Sequence, residues 1–430
     1  MDGLAVALSG FAALLGLISL RIPIALAMAI TGLAGTAYVS SAQSAIYILR
    51  NAPFERASSY TFLIIPLFLL MGFVSSQSGL SQSLFRAANA WLGRLRGGLA
   101  MATVFSSAAF GAICGSSIAT AAAVSGVVLP EMKRYRYSDA LATGSIAAGG
   151  TLGIMIPPSI IFVLYAIVTE TSPGNLLLAG IVPGIIGMAL FMLAIAIWVR
   201  IDPDIAPPGE ESDRDDRLSS LRDMWPIVLL FTVVVGSIYT GLATPTESAA
   251  FGAIGAITIG VLRRKLSWIA FRDAITQTVV TSGMIFFIVI GADMFSFFVA
   301  LTQMPMTVAA WFTAADLSAT TVLMIIFVIY LALGAVMDEI SMLLLTVPIF
   351  FPLITALGID PIWFGVMIVV TVQLGMITPP VGINVFVIAG MAPDVPIQTI
   401  FRGVVPFVLA LFCLTAILFA FPSLPTLILR

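Results

Sequence analysis

Apolar residues come in long blocks, at about 4–19, 23–40, 60–76, 98–130, 139–168 and 176–199, and again at about 226–240, 247–262, 276–300, 320–353, 362–392 and 403–421. Blocks of about 20 apolar residues with few charges are long enough to cross a hydrocarbon core as helices. The pattern predicts an all-α polytopic membrane protein. One long polar stretch divides the two sets of blocks, from Asp202 to Asp223, and reads as a solvated linker. The segment 81–96 sets Leu84, Ala87, Ala88, Trp91 and Leu95 at helical spacing, with Arg86, Arg94 and Arg96 opposite. That suits a helix lying along the membrane interface, and 305–316, with Trp311, reads as a second such arm.

The two sets of blocks repeat each other. Pro23 and Pro245, Arg50 and Arg272, and Pro157-Pro158 and Pro379-Pro380 each lie 222 residues apart. Gly111-Ala112 and Gly334-Ala335, and Gly180 and Gly403, lie 223 apart. Internal repeats on this scale are characteristic of secondary transporters. We divide the chain into a first repeat at 1–200, a polar linker at 201–225 and a second repeat at 226–430. Each repeat holds a hairpin, at about 98–131 and 320–353, and a broken helix, at about 139–168 and 362–392. With both hairpins re-entrant, each half keeps five spans and the second half is inverted relative to the first. Of the 19 Lys and Arg residues, only Arg50, Arg56 and Arg430 then fall on the face of the N-terminus, which places that face outside. Both termini are expected to be periplasmic.

Composition agrees. The chain is 60% hydrophobic and 9% charged, with a mean hydropathy of +1.12, against about 25% charged in soluble domains. It has no histidine, which excludes His-based catalysis and His metal sites, and its two cysteines, Cys114 and Cys413, sit in apolar blocks as inert thiols. Residues 1–20 begin with Asp2 rather than a basic region, so no cleavable signal peptide is expected. No phosphate-binding loop is present, and both lysines, Lys133 and Lys265, lie in basic loops, so neither an ATPase nor a Ser–Lys protease is indicated. The chain does not read as an enzyme, and no nucleic-acid partner is expected.

The candidate chemistry centres on 149–159, Gly-Gly-Thr-Leu-Gly-Ile-Met-Ile-Pro-Pro-Ser, and on Leu374-Gly375-Met376-Ile377-Thr378-Pro379-Pro380. A proline pair removes two backbone donors and blocks the helix behind it. In lipid, the freed groups must face protein or a wet cavity. A half-helix ending at 153–156 would offer carbonyls to a cation. A second half starting at Pro157-Pro158, with proline at its first position, would offer N–H groups to an anion. The alternative for one such pair is a kink used only for packing. In the first hairpin, Gly115-Ser116-Ser117 reads as a tight turn with hydroxyl ligands, although small residues also serve close helix packing. Its counterpart contains Asp338 and Glu339, costly at membrane depth unless they meet a cavity, a partner or a proton, or sit at a wet tip. Glu247 is expected to cap a helix. Asp293 reads as either a pathway residue or one near the membrane surface. Substrate contacts are expected from Ser116, Thr120, Pro158, Ser159, Pro380 and Asn384, the last one helical turn past the second break.

The runs Ala243-Thr244-Pro245-Thr246-Glu247-Ser248-Ala249-Ala250, Gly111-Ala112-Ile113-Cys114-Gly115-Ser116-Ser117-Ile118-Ala119-Thr120, Gly153-Ile154-Met155-Ile156-Pro157-Pro158-Ser159 and Gly375-Met376-Ile377-Thr378-Pro379-Pro380-Val381-Gly382 resemble the large membrane subunit of the tripartite ATP-independent periplasmic (TRAP) transporters. The resemblance covers nearly the whole chain. It implies an elevator mechanism, with a transport domain sliding against a scaffold, driven by sodium ions across the bacterial inner membrane. It also implies a separate small four-helix membrane subunit, a periplasmic substrate-binding protein and an organic-acid substrate. By the same resemblance, one sodium site would involve Cys114, Ser117, Gly153, Ile156 and Pro157, and the other Gly334, Gly375 and Thr378. By the same resemblance, a serine would be expected where Cys114 stands. The rival expectations are a one-component ion-coupled carboxylate symporter or antiporter, and a channel or membrane scaffold.

Overall fold

A computed structural model describes residues 3–209, 214–314 and 318–429. Linker residues 210–213, the end of the second arm at 315–316 and Arg430 lie outside the described residues. Among those described there are helices and no strands. The first half contains α1 Gly3–Ser19, α2 Ile24–Val39, α3 Ala42–Ala57, α4 Ile64–Gln77, α5 Leu80–Leu92, α6 Gly98–Cys114, α7 Ser117–Arg134, α8 Asp139–Thr151, α9 Ile160–Thr169, α10 Pro173–Ala179 and α11 Ile181–Ile201. The remainder contains α12 Arg214–Asp223, α13 Trp225–Tyr239, α14 Pro245–Leu262, α15 Trp268–Leu301, α16 Met304–Ala314, α17 Ala319–Gly334, α18 Glu339–Ala356, α19 Pro361–Ile377, α20 Ile383–Met391 and α21 Ile397–Ala420.

Among the described residues, six helical segments are long and apolar enough to cross a membrane, among them Pro173–Ile201, Trp268–Leu301 and Ile397–Ala420. Gly3–Ser19 and Ile24–Val39, at 17 and 16 residues, stand at the lower edge of that length. The chain is a multi-pass membrane protein.

Local chemistry accounts for several boundaries. The start of α14 is a capping box: Thr244 N–H donates to Glu247 Oε2 at 2.7 Å, and Glu247 N–H donates to Thr244 Oγ1 at 3.3 Å. This is the capping role expected of Glu247. Asp360 accepts from Ile362 N–H at 2.8 Å to open α19, with Pro361 following it.

Three expectations change. Helix α3 carries Arg50, Asn51, Glu55 and Arg56, too polar to register as an apolar block, yet it is helical and packs on α2 and α15. The polar linker is not all irregular: α12 lies within it against α5, where Arg217 Nε donates to Ala90 O at 3.2 Å and Ser220 is buried. The arm α5 buries Leu84, Ala87 and Ala88 against α6, but Trp91 is exposed in its last turn, and Leu95 leaves the periodic face because the helix ends at Leu92.

Close helix contacts rest on glycine. A Cβ on Gly32 or Gly291 would collide with the backbone of α15 or α2, and one on Gly144 would collide with Gly403 of α21. Such approach favours association in lipid, where burial of apolar area gives little drive. Across α3 and α15, Arg56 pairs with Asp293 through both carboxylate oxygens, with Arg56 Nη2 at 2.8 Å from Oδ1. Asp293 therefore has a cationic partner, in an ion pair that ties two helices together. At the end of α7, Lys133 donates to Asp394 at 2.6 Å and holds that exposed carboxyl below the usual carboxylate range.

Candidate transport site

The first break is short and fully packed. Helix α8 tightens into one 3-10 turn at Leu152–Ile154, and the cis pair Pro157-Pro158 follows. All of 151–160 is buried. Helix α9 begins only at Ile160, with Ser159 as its cap. The Ser159 hydroxyl donates to Ile154 O at 2.6 Å and accepts from Phe162 N–H at 3.3 Å. The proline pair therefore lies outside the new helix rather than at its first position, because the following cap, not the prolines, sets the helical start. The expected offering of free N–H groups is also narrower. Ile160 N–H already donates to Gly115 O at 3.4 Å.

That last bond reaches the turn of the first hairpin. Cys114 ends α6, Gly115 takes φ +66°, and Ser116 caps α7. Gly115 suits this turn because a side chain at positive φ is strained. Gly111 lies against the backbone of Gly153, and a Cβ on Gly153 would stand 2.7 Å from Thr120 Oγ1 and 3.2 Å from Ser116 O. Cys114, Ser116, Ser117, Thr120, Gly153, Ile156, Pro157, Pro158 and Ser159 thus gather where hairpin and break meet.

The second half has the same arrangement. Helix α17 ends at Gly334 and α18 begins at Glu339, capped by Asp338, which accepts from Ile340 and Ser341 N–H at 3.2 and 3.0 Å. Asp338 is thereby accounted for as a cap. A Cβ on Gly375 would stand 2.5 Å from Gly334 C, and Val381 N–H donates to Ala335 O at 3.1 Å. Gly334, Gly375 and Thr378 come together here, with Pro380 beside them. The Thr378 hydroxyl donates to Leu374 O at 2.5 Å, which leaves its oxygen lone pairs for a cation. Helix α20 starts at Ile383 behind Gly382, again past the cis pair Pro379-Pro380. The two breaks differ in exposure: Pro157 and Pro158 are buried, whereas Pro379 and Pro380 are exposed.

Each half reaches across to the other. Helix α18 packs on α9, and α20 packs on α7 and α8. Asn384 is fully buried, and its amide donates to Ser117 Oγ at 2.7 Å and to Ala147 O at 3.0 Å. With its amide hydrogens so placed, only Oδ1 remains. An ionised carboxylate only accepts, so in this arrangement Asn384 offers a contact to a hydroxyl or a cation instead. Gln373 donates to Thr151 O at 3.0 Å.

Buried polar atoms without a partner concentrate on these elements. They include Thr120 Oγ1, Ser341 Oγ, Glu339 Oε2, Gln373 Oε1 and Asn384 Oδ1. Buried polar groups are normally satisfied, so such a group of oxygens, beside helix-end carbonyls, is suited to a desolvated cation and a polar solute. Sequence reasoning placed Thr151 within the central 149–159 stretch and Gly111 within a motif, but gave neither a role, and missed Ala147. Gly111 was visible as a repeat landmark; the other two contribute only backbone carbonyls and carry no side-chain signal.

A family model described as "Tripartite ATP-independent periplasmic transporter, DctM component" matches residues 11–424. The C4-dicarboxylate TRAP transporter large permease protein DctM of Pseudomonas aeruginosa is 36% identical over 371 residues, 86% of each chain. The sialic acid TRAP transporter large permease protein SiaM of Vibrio cholerae is 31% identical over 85% of each chain. Among solved structures, the YdaH transporter of Alcanivorax borkumensis aligns over 89% of this chain and 88% of its own, with a TM-score of 0.65 and 15% identity, a likeness of fold alone. With a family match that takes in both hairpins and both breaks, the chain belongs to the DctM component family of the tripartite ATP-independent periplasmic transporters.

Proposed function

We propose that this chain is the large permease of a sodium-driven importer that carries an organic acid across the bacterial inner membrane. The observation that carries this reading is the doubled motif in which a hairpin turn meets a broken helix, Gly115 O with Ile160 N and Ala335 O with Val381 N. Each copy sets helix-end carbonyls beside buried hydroxyls, a chemistry suited to sodium, a hard cation that favours oxygen ligands. Cys114, Ser117, Gly153, Ile156 and Pro157 would hold one ion, and Gly334, Gly375 and Thr378 the other. Cys114 ends α6, so its carbonyl can serve without its thiol.

The substrate class follows from the relatives, whose names give a C4-dicarboxylate and sialic acid, both carboxylates. Ser116, Thr120, Ser159, Pro158 and Pro380 would contact such an acid, and the Asn384 oxygen would meet a hydroxyl on it. The two halves would be inverted repeats with both termini periplasmic, and the hairpins and broken helices would move as one body against a scaffold that includes α2, α4, α14 and α15. A small membrane subunit and a periplasmic binding protein would complete the importer.

Reconstituted into proteoliposomes with both partners, the chain should take up the acid delivered by the binding protein only under an inward sodium gradient. Comparable uptake by the chain alone would favour a one-component symporter, and flux indifferent to sodium would leave a channel.

A further inference from the structure

Thr151 and Gln373 are equivalent positions of the two halves, and they touch. Gln373 Nε2 donates to Thr151 O at 3.0 Å across a separation of 222 residues, the offset that relates the two proline pairs. Each stands two residues before the glycine of its own break, Gly153 or Gly375. Thr151 O stands at the end of α8. The next backbone amides are committed elsewhere, Met155 N–H and Ile156 N–H both to Leu152 O. The amide nitrogen must face this carbonyl, since the amide oxygen would be repelled there. Gln373 is fully buried, and its Oε1 has no partner. Another side chain of the second half, Asn384, reaches the same helix one turn earlier, at Ala147 O.

We infer that Gln373 is a positioning residue that couples the two cation sites, by fixing the end of α8 to the end of α19. The inference rests on the proposed pair of sodium sites. An ion that draws in the carbonyls at one break moves the helix end to which Gln373 is tied, and so sets the geometry at the other break. Gln373 touches neither ion; it transmits the order of one site to the other. Coupling between sites is reciprocal, so an ion at either site raises the affinity of the other by the same factor.

The test is sodium-dependent uptake in proteoliposomes containing the complete transporter. Wild type should be cooperative in sodium. Gln373→Met keeps volume and removes the donor, and Gln373→Asn keeps an amide too short to reach Thr151 O. Either folded variant should lower the Hill coefficient to that of two independent, jointly required sites, with half-saturating sodium raised by about fivefold or more, the low end of ordinary allosteric coupling. Loss of thermal stability alone, with cooperativity kept in either folded variant, would overturn the inference, as would a non-cooperative wild type. A wild type with no sodium dependence would instead refute the reading beneath it.

Discussion

In the two proposed cation sites Gly153 and Thr378 would serve in different ways. Gly153 works by having no side chain: a methyl there would stand 2.7 Å from Thr120 Oγ1 and 3.2 Å from Ser116 O. Overpacking of this kind costs about 1–3 kcal/mol, and here it would push the hairpin turn away from the break. Gly153→Ala is expected to remain inserted and to lose sodium-driven uptake about tenfold or more, a barrier change of about 1.4 kcal/mol. Uptake at the wild-type rate would remove that contact from the mechanism. Thr378 works through an oxygen. Its hydrogen goes to Leu374 O, so Thr378→Val deletes the lone pairs and keeps the shape. Apparent sodium affinity should fall severalfold, while Thr378→Ser stays near wild type. An unchanged sodium titration for Thr378→Val would place the ion elsewhere.

Pairs of helices carry the next level of argument. The Arg56–Asp293 pair joins α3 to α15, and its side chains are 35% and 25% exposed. For a pair this open, coupling of about 1 kcal/mol is the upper expectation. Arg56→Gln and Asp293→Asn should each lower the melting temperature in detergent, and the double variant should melt above the sum of the two losses. Strict additivity would mean that the pair contributes nothing. Helix α15 is 34 residues long and continuous, about 51 Å at 1.5 Å per residue, more than a hydrocarbon core needs. The equivalent stretch of the first half is divided between α3 and α4 around Tyr60–Leu63. The apolar pattern showed only the inner part of α15, at 276–300, because Arg272 and Asp273 near its start are polar. Propensity and capping extended it through Ser267, which accepts from Ala270 N–H at 3.2 Å.

Across the whole molecule the two halves are alike in design and unequal in exposure. The first break is sealed, with Ile161 1% exposed, while the second hairpin tip is open, with Val336 59% exposed. In a Cys413→Ala background, Val336→Cys should react with a membrane-impermeant maleimide from one face of the membrane about tenfold faster than Ile161→Cys, an approximate contrast set by the opening free energy a buried site requires. Equal reactivity would show that the asymmetry does not persist in the bilayer. Added sodium and substrate should change the Val336→Cys rate if the open tip is a gate.

The sequence by itself determined that the chain enters lipid repeatedly, because apolar length is a property of consecutive residues. It also determined where the helices break, because Pro157-Pro158 and Pro379-Pro380 cannot donate backbone hydrogen bonds whatever surrounds them. The offset near 222 exposed the shared design for the same reason: it is written in residue types. Only the tertiary structure decided which polar groups remain available. It spent the amide of Asn384 on Ser117 and Ala147, turned Gln373 onto Thr151, gave Asp293 its arginine, and put Ser159 rather than proline at the start of α9. Apart from the Ser159 cap, each of these joins residues more than 200 positions apart, and several acceptors are backbone carbonyls that every residue type carries. No local pattern distinguishes one such carbonyl from the next; packing alone selects it.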